Sequence, residues 1–249
     1  MIYNFHHFYY WLKGGVETGQ AYRAKIFRDL GLEAKFVFAT TFPDQNIQHE
    51  TAYLGFQDSE VIWMYGFFSD CKISPVTYTL EQLEKTFEER NYTFSRDGST
   101  VTYHFPDLGV YYKVYMTDEK NEFVHRVVMV SGGCLIRKDY YTYCRIYSEY
   151  YAPVNGQASL YLRRFFNEDG SVAYEEIVEG DTAFYKFPDR MLYSREELLA
   201  QLMQGLNLTE DDVVLIDGEP GMIERAAFIQ NAAPAKVGLI IHADHFWNY

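Results

Sequence analysis

Val61-Ile62-Trp63-Met64-Tyr65-Gly66-Phe67-Phe68 is apolar on both of the faces that an extended strand presents. A strand of that kind belongs in a parallel sheet covered by helices on either side. The residues before it agree. Ile2 to Phe8 reads as a strand, Trp11 to Gly19 as a glycine-bearing loop, and Gln20 to Leu30 as a helix. On that helix Tyr22, Ile26, Phe27 and Leu30 share one face, and Gly31 stands at the C-cap. Lys35 to Thr40 is a second strand and Asn46 to Leu54 a short helix, so the chain opens as β-α-β-α-β.

Beyond Pro75 the pattern changes. Thr79-Leu80-Glu81-Gln82 has capping-box spacing and predicts a short helix. From Tyr92 to Phe187 the sequence gives about seven short β-runs, among them Val101 to Phe105, Val110 to Met116, His125 to Val130, Leu160 to Phe166 and Val172 to Val178. Asp97-Gly98, Asp118-Glu119-Lys120-Asn121, Asn155-Gly156 and Asp169-Gly170 supply turn chemistry at hairpin spacing. Fifteen of the 23 tyrosines lie between residues 91 and 193, where a large ring packs well on a pleated surface. This stretch reads as an antiparallel meander.

The α/β pattern then returns. Ser194-Arg195-Glu196-Glu197 caps a helix that carries Leu198, Leu199, Leu202 and Met203 and ends at Gly205. Val213 to Ile216 is a strand, Met222 to Ile229 a helix, and Ala235 to Ile241 a strand ending at His242. A parallel pattern interrupted and resumed predicts one Rossmann-like α/β domain from residues 1–75 and 194–249, with an inserted antiparallel β-meander domain over residues 76–193.

Composition limits what such a protein can do. The 249 residues are 48% hydrophobic and 23% charged, an ordinary globular balance. A net charge of −13 with no basic run repels phosphate backbones and anionic lipid, which argues against nucleic acid as a partner. Cys71, Cys134 and Cys144 fit no zinc spacing and read as buried or idle thiols of a reducing compartment. The N-terminus lacks a basic start and a long apolar core, and no run reaches the ~20 apolar residues of a membrane span, so a cytoplasmic location is expected.

Two motifs fall at carboxyl ends of predicted parallel strands, where α/β folds bind ligands. Gly14-Gly15-Val16-Glu17-Thr18-Gly19 has glycines for close ligand approach and a helix N-terminus beyond it. It is not a Walker loop, because Gln20 and Ala21 stand where Lys and Ser or Thr are required, and the dinucleotide glycine pattern is absent too. The bland alternative is a turn without a ligand. His242-Ala243-Asp244-His245 closes the last strand, which the apolar run Val237 to Ile241 predicts to be central in the sheet, and His242 could donate a hydrogen bond to a sugar or phosphate. Its alternative is a core histidine with its hydrogen bonds satisfied. Neither motif has metal-site spacing, and none is expected.

At these residues the chain resembles the accessory secretion system glycosyltransferases. The blocks that carry the resemblance are Gly14-Gly15-Val16-Glu17, Gln20-Ala21-Tyr22-Arg23-Ala24, Ala34-Lys35-Phe36-Val37-Phe38, Asn46-Ile47-Gln48-His49, Val61-Ile62-Trp63 and Lys236 to Phe246. The resemblance implies the N-terminal, acceptor-side part of a two-domain GT-B enzyme. It also implies retaining, metal-independent transfer of N-acetylglucosamine or glucose from UDP-GlcNAc or UDP-glucose to Ser or Thr of a serine-rich repeat adhesin, with no cofactor. By the same resemblance Gly14, Gly15 and Val16 close near phosphates or acceptor, and His242 contacts the donor sugar. The inserted sheet would take the acceptor chain and a GT-B-like non-catalytic partner subunit, through which the complex could lie peripheral to a membrane. Family members carry a donor domain and an E-x7-E pair beyond this half. Glu81/Glu89 and Glu168/Glu176 share that offset but lie in the insertion, so these 249 residues are expected to be inactive alone and to self-associate. A non-catalytic binding module, or a piece of a wall teichoic acid α-glycosyltransferase, is the alternative reading.

Overall fold

A computed structural model describes residues 1–6, 15–42, 46–89, 91–217 and 222–240. The chain forms two compact units. One comprises Met1–Phe42, Ile47–Phe68 and Leu192–Tyr249, the other Pro43–Asn46 and Ser69–Met191.

In chain order the first unit begins with β1 (Ile2–His6), α1 (Gly15–Asp29), β2 (Ala34–Phe38), α2 (Ile47–Leu54) and β3 (Val61–Trp63). The second unit then runs through α3 (Leu80–Lys85), β4 (Thr93–Asp97), β5 (Thr100–Phe105), β6 (Val110–Met116), β7 (Val124–Ser131) and β8 (Cys134–Tyr141). It continues with β9 (Arg145–Val154), β10 (Gln157–Phe166), β11 (Val172–Glu179) and β12 (Thr182–Lys186), and β13 (Met191–Leu192) closes the sheet. The chain returns to the first unit with α4 (Arg195–Gly205), β14 (Val213–Asp217), α5 (Met222–Asn231) and β15 (Lys236–Ile240).

The architecture is a parallel α/β sheet plus an inserted ten-stranded antiparallel sheet, as the change of period implied. The parallel sheet has the order β15-β14-β1-β2-β3. Tyr3 lies beside Val214 and Lys35, and Phe5 beside Ile216 and Val37. Helices cover the sheet because its aromatic residues need apolar partners. Phe5 packs on Phe228 of α5 with ring centroids 4.6 Å apart, and Phe36 packs on Phe56 at 4.9 Å. Leu198, Leu199 and Leu202 of α4 are fully buried. No described helix is long and apolar enough to cross a membrane.

Local expectations needed correction in four places. The strand expected over Val61–Phe68 stops at Trp63, because the chain folds back at Gly66, where a Cβ would lie 2.9 Å from the Trp63 indole. Helix α1 starts at Gly15, so Gly15 and Val16 are helical and not in a loop. Its inward face is Gln20, Ala24 and half-buried Phe27, whereas Tyr22 and Leu30 are 66% and 68% exposed. Ala24 leaves room for close helix–sheet approach, and Phe27 reaches Phe36, with ring centroids 6.5 Å apart. Gly205 is the last residue of α4 and not a left-handed cap, a conformation taken instead by Asn207 (φ 51°). A glycine is required at 205 because a Cβ there would lie 2.7 Å from Phe67.

The second unit is a meander, β4 to β13 in strict sequence order. Thr79 caps α3 as expected, its hydroxyl accepting from Gln82 N (3.1 Å) while Gln82 Oε1 accepts from Thr79 N (2.8 Å). Leu83 and Phe87 then close one core against Val101, Tyr103, Val114 and Val127. Across the other half of the sheet runs a ladder of stacked rings, Tyr140, Tyr147, Phe165, Tyr174 and Phe187, with centroids 4.1, 5.5, 4.5 and 4.9 Å apart. Tyr140, Tyr147, Phe165 and Tyr174 sit directly opposite one another on neighbouring strands, where cross-strand aromatic pairs gain most, and Phe187 follows just beyond β12.

Two residues along each strand, on the same face, is a charged row. Arg163 donates through Nε to Glu149 (3.0 Å) and through a terminal nitrogen to Glu176 (2.7 Å). Tyr140 and Tyr151 donate to Glu149 at 2.8 and 2.7 Å, and Tyr185 donates to Glu176 at 3.2 Å. Both carboxylates are buried. Burial works to raise the Glu149 pKa, but the bond from Tyr151 and the Arg163 charge outweigh it and hold it below the usual carboxylate range. For Arg163 burial likewise opposes the charge, and Glu176 and Glu149 overcome it.

Candidate functional site

The carboxyl ends of the parallel strands line up in register as Ile240, Asp217, His6, Phe38 and Trp63. Eight residues separate the end of β1 from the start of helix α1, so its N-terminal amides belong to this end of the sheet. Of the residues singled out from sequence, Gly15 and Val16 open that helix. Gly14 and His242 lie outside the described residues. Strand β15, which His242 follows, is an edge strand of the described sheet and not the central strand expected from its apolar run. Val237 and Leu239 of β15 are 41% and 52% exposed, so the apolar run does not by itself mark a strand covered on both faces.

Two residues that sequence reasoning had not singled out as site residues are buried here, Asn4 of β1 and Gln20 of α1. Asn4, in the middle of β1, is fully buried and accepts at Oδ1 from Arg23 (2.7 Å), while its Nδ2 has no partner among the described residues. Gln20 is 1% exposed, and neither its amide nitrogen nor its oxygen is bonded there. Buried polar atoms are ordinarily satisfied, so this part of the first unit holds donor and acceptor capacity in excess of what its own residues use. An Asn inside the otherwise apolar Ile2–Phe5 run was the available signal.

The second unit contains a groove of about 540 Å³. Tyr112, Met129 and Arg137 form one cross-strand row along it, and Leu83, Phe87, Arg145 and Glu168 also line it. Arg137 donates to fully buried Asp139 (3.0 Å), which also accepts from Ser148 (2.5 Å). Tyr78 stacks on Tyr141 at 4.5 Å, and burial raises the pKa of both hydroxyls and of Tyr112. Rings with cations and carboxylates interleaved suit a neutral, hydrogen-bonding extended chain better than a polyanion. Among the described residues no cluster of three or more His, Cys, Asp or Glu could hold a metal ion.

An open parallel sheet with a ten-stranded antiparallel insertion defines a class of α/β protein in which a sheet domain has been grafted into a Rossmann-like scaffold. Within that class the chain is similar to GtfA proteins: residues 93–189 match the family described as the GtfA extended beta-sheet domain. The GtfA subunit of a UDP-N-acetylglucosamine–peptide N-acetylglucosaminyltransferase from Streptococcus agalactiae is 42% identical over 246 residues, covering 99% of this chain and 48% of that protein. A crystal structure of a GtfA/B complex superposes with a TM-score of 0.91 at 42% identity, over 97% of this chain and 48% of that one. The pneumococcal O-GlcNAc transferase GtfA in complex with UDP and GlcNAc also gives 0.91, at 36% identity over 97% and 47%. The chain thus spans about half the length of the curated relatives it matches.

Proposed function

We propose that this chain is the acceptor-side part of a retaining glycosyltransferase that moves N-acetylglucosamine or glucose from a UDP-sugar to Ser or Thr of a serine-rich repeat protein. The observation that carries the reading is the superposition of nearly all of it on an O-GlcNAc transferase structure that holds UDP and GlcNAc. Such transfer is chiefly a matter of positioning and of stabilising charge as the diphosphate leaves. In this reading the α1 N-terminus with Gly14, Gly15 and Val16 closes near phosphate or acceptor, and His242 donates to the donor sugar. Gln20 offers further buried polar contacts. The inserted sheet binds the serine-rich chain and a partner subunit, as the GtfA/B complex of a relative suggests. The protein works in the cytoplasm, as part of an oligomer.

The test joins this chain to the remaining half of a GtfA relative and follows labelled GlcNAc from UDP-GlcNAc into a Ser/Thr-rich peptide, with partner subunit present. The fusion should label the peptide, and the 249 residues alone should not. A folded fusion that binds UDP-GlcNAc yet leaves the peptide unlabelled overturns the proposal.

A further inference from the structure

Cys71 and Cys144 are 73 residues apart in sequence, and nothing in their spacing pairs them. In the second unit their sulfurs lie 3.7 Å apart. Both are half-buried, as is Cys134. Two segments converge to place them. Cys71 follows the last residues of the first unit, and Cys144 sits in the turn between β8 and β9.

That convergence is built from several hydrogen bonds. Lys72 N donates to the Tyr143 hydroxyl (2.9 Å), Tyr143 donates to Glu168 (2.5 Å), and Glu168 N donates to Asp70 (2.7 Å). The amides of Thr77 and Tyr78 both donate to the Thr142 carbonyl, at 3.0 and 2.9 Å. The two backbones are thus fixed on either side of the thiols. A disulfide has its sulfurs about 2.05 Å apart, which leaves about 1.7 Å to close.

We propose that Cys71 and Cys144 are a dithiol site that a peroxide oxidises reversibly to an intramolecular disulfide. The Cys144 thiolate attacks one peroxide oxygen, breaking the O–O bond and giving a sulfenic acid and hydroxide. The Cys71 sulfur then attacks that sulfenic sulfur and expels its oxygen as water. In sum two thiols and one hydrogen peroxide give one disulfide and two waters, with both electrons taken from the sulfurs. The roles follow from the surroundings. Cys71 donates its S–H to the Phe166 carbonyl (3.3 Å) and lies in sulfur–sulfur hydrogen-bond contact with Cys144. The bond from Cys71 holds the Cys144 thiol below its ordinary pKa, and its own bond to Cys144 together with burial pushes Cys71 up. Cys144 also lines the groove, so the disulfide fastens one groove wall to the segment leading into the unit.

The experiment treats the fully reduced 249-residue protein with a small excess of hydrogen peroxide, alkylates remaining thiols and maps the peptides. The expected result is a Cys71–Cys144 linked peptide that dithiothreitol removes, with Cys134 alkylated throughout. The oxidised protein should melt several degrees higher, since the bond closes a long loop of the unfolded chain. Cys134→Ser should behave like the unmutated protein, while Cys144→Ser should form no intramolecular bond. Recovery of Cys71 and Cys144 as separate alkylated or over-oxidised peptides, or a bond that runs to Cys134 or to a second chain instead, overturns the proposal. Mapping of the unmutated protein decides the matter even if a cysteine variant fails to fold.

Discussion

Replacing Arg163 with Met should be among the most damaging single changes in the inserted sheet. The substitution keeps an unbranched apolar stem and removes a cation that pairs with two buried carboxylates. Arg163 forms ion pairs of 3.0 and 2.7 Å, each on the order of 4 kcal/mol at the effective dielectric of a protein site. Releasing the guanidinium from its own desolvation returns several kcal/mol, so the net loss should be about 3–5 kcal/mol. Loss of the counter-charge also inverts a pH dependence. In the unmutated protein Glu149 is held below its unfolded pKa, so its contribution is present above about pH 4.3 and is lost as the pH falls through its folded value. Without Arg163, burial dominates and raises that carboxyl, which then costs stability at neutral pH and less on acidification. Urea unfolding followed by far-ultraviolet circular dichroism should show the gap between the two proteins widest at pH 7 and narrowing toward pH 4. Adding Glu149→Gln and Glu176→Gln to the Met variant should restore much of the loss. A deficit below about 1 kcal/mol at pH 7, or one that grows on acidification, would refute the reasoning.

Two more predictions concern the first unit. In the fusion described above, His242→Ala should lower transfer roughly a hundred- to a thousandfold, as loss of an oxyanion-type donor does, with little change in melting temperature. His245→Ala should matter less, and equal activity of His242→Ala and the unmutated fusion would remove the histidine from the mechanism. Gln20→Met should raise the stability of the chain by about 1–3 kcal/mol, because it deletes two buried, unbonded polar atoms. It should also weaken transfer by the fusion, and a variant that is less stable and fully active would show that Gln20 is satisfied within the fold.

Sequence by itself determined whatever depends on near neighbours. The two-faced apolar run at Val61–Trp63, the turn pairs Asp97-Gly98, Asn155-Gly156 and Asp169-Gly170, and the Thr79/Gln82 cap each act through sterics or hydrogen bonds within a few residues. They were enough to separate a parallel α/β sheet from an inserted antiparallel one. The glycine-bearing stretch at the start of α1 was legible for the same reason, although its helix begins earlier than the glycines suggested. What only the tertiary structure decided are the pairings between distant residues. The inward face of α1 depended on where Ala24 and Phe27 met the sheet, and the placing of β15 at the edge on strand order. The Glu149–Arg163–Glu176 row, the contact of Gly205 with Phe67 and the meeting of Cys71 with Cys144 depended on register across strands and turns. Strand register brings together side chains that lie dozens of residues apart, and a local period of 2 or 3.6 carries no information about which strand lies beside which.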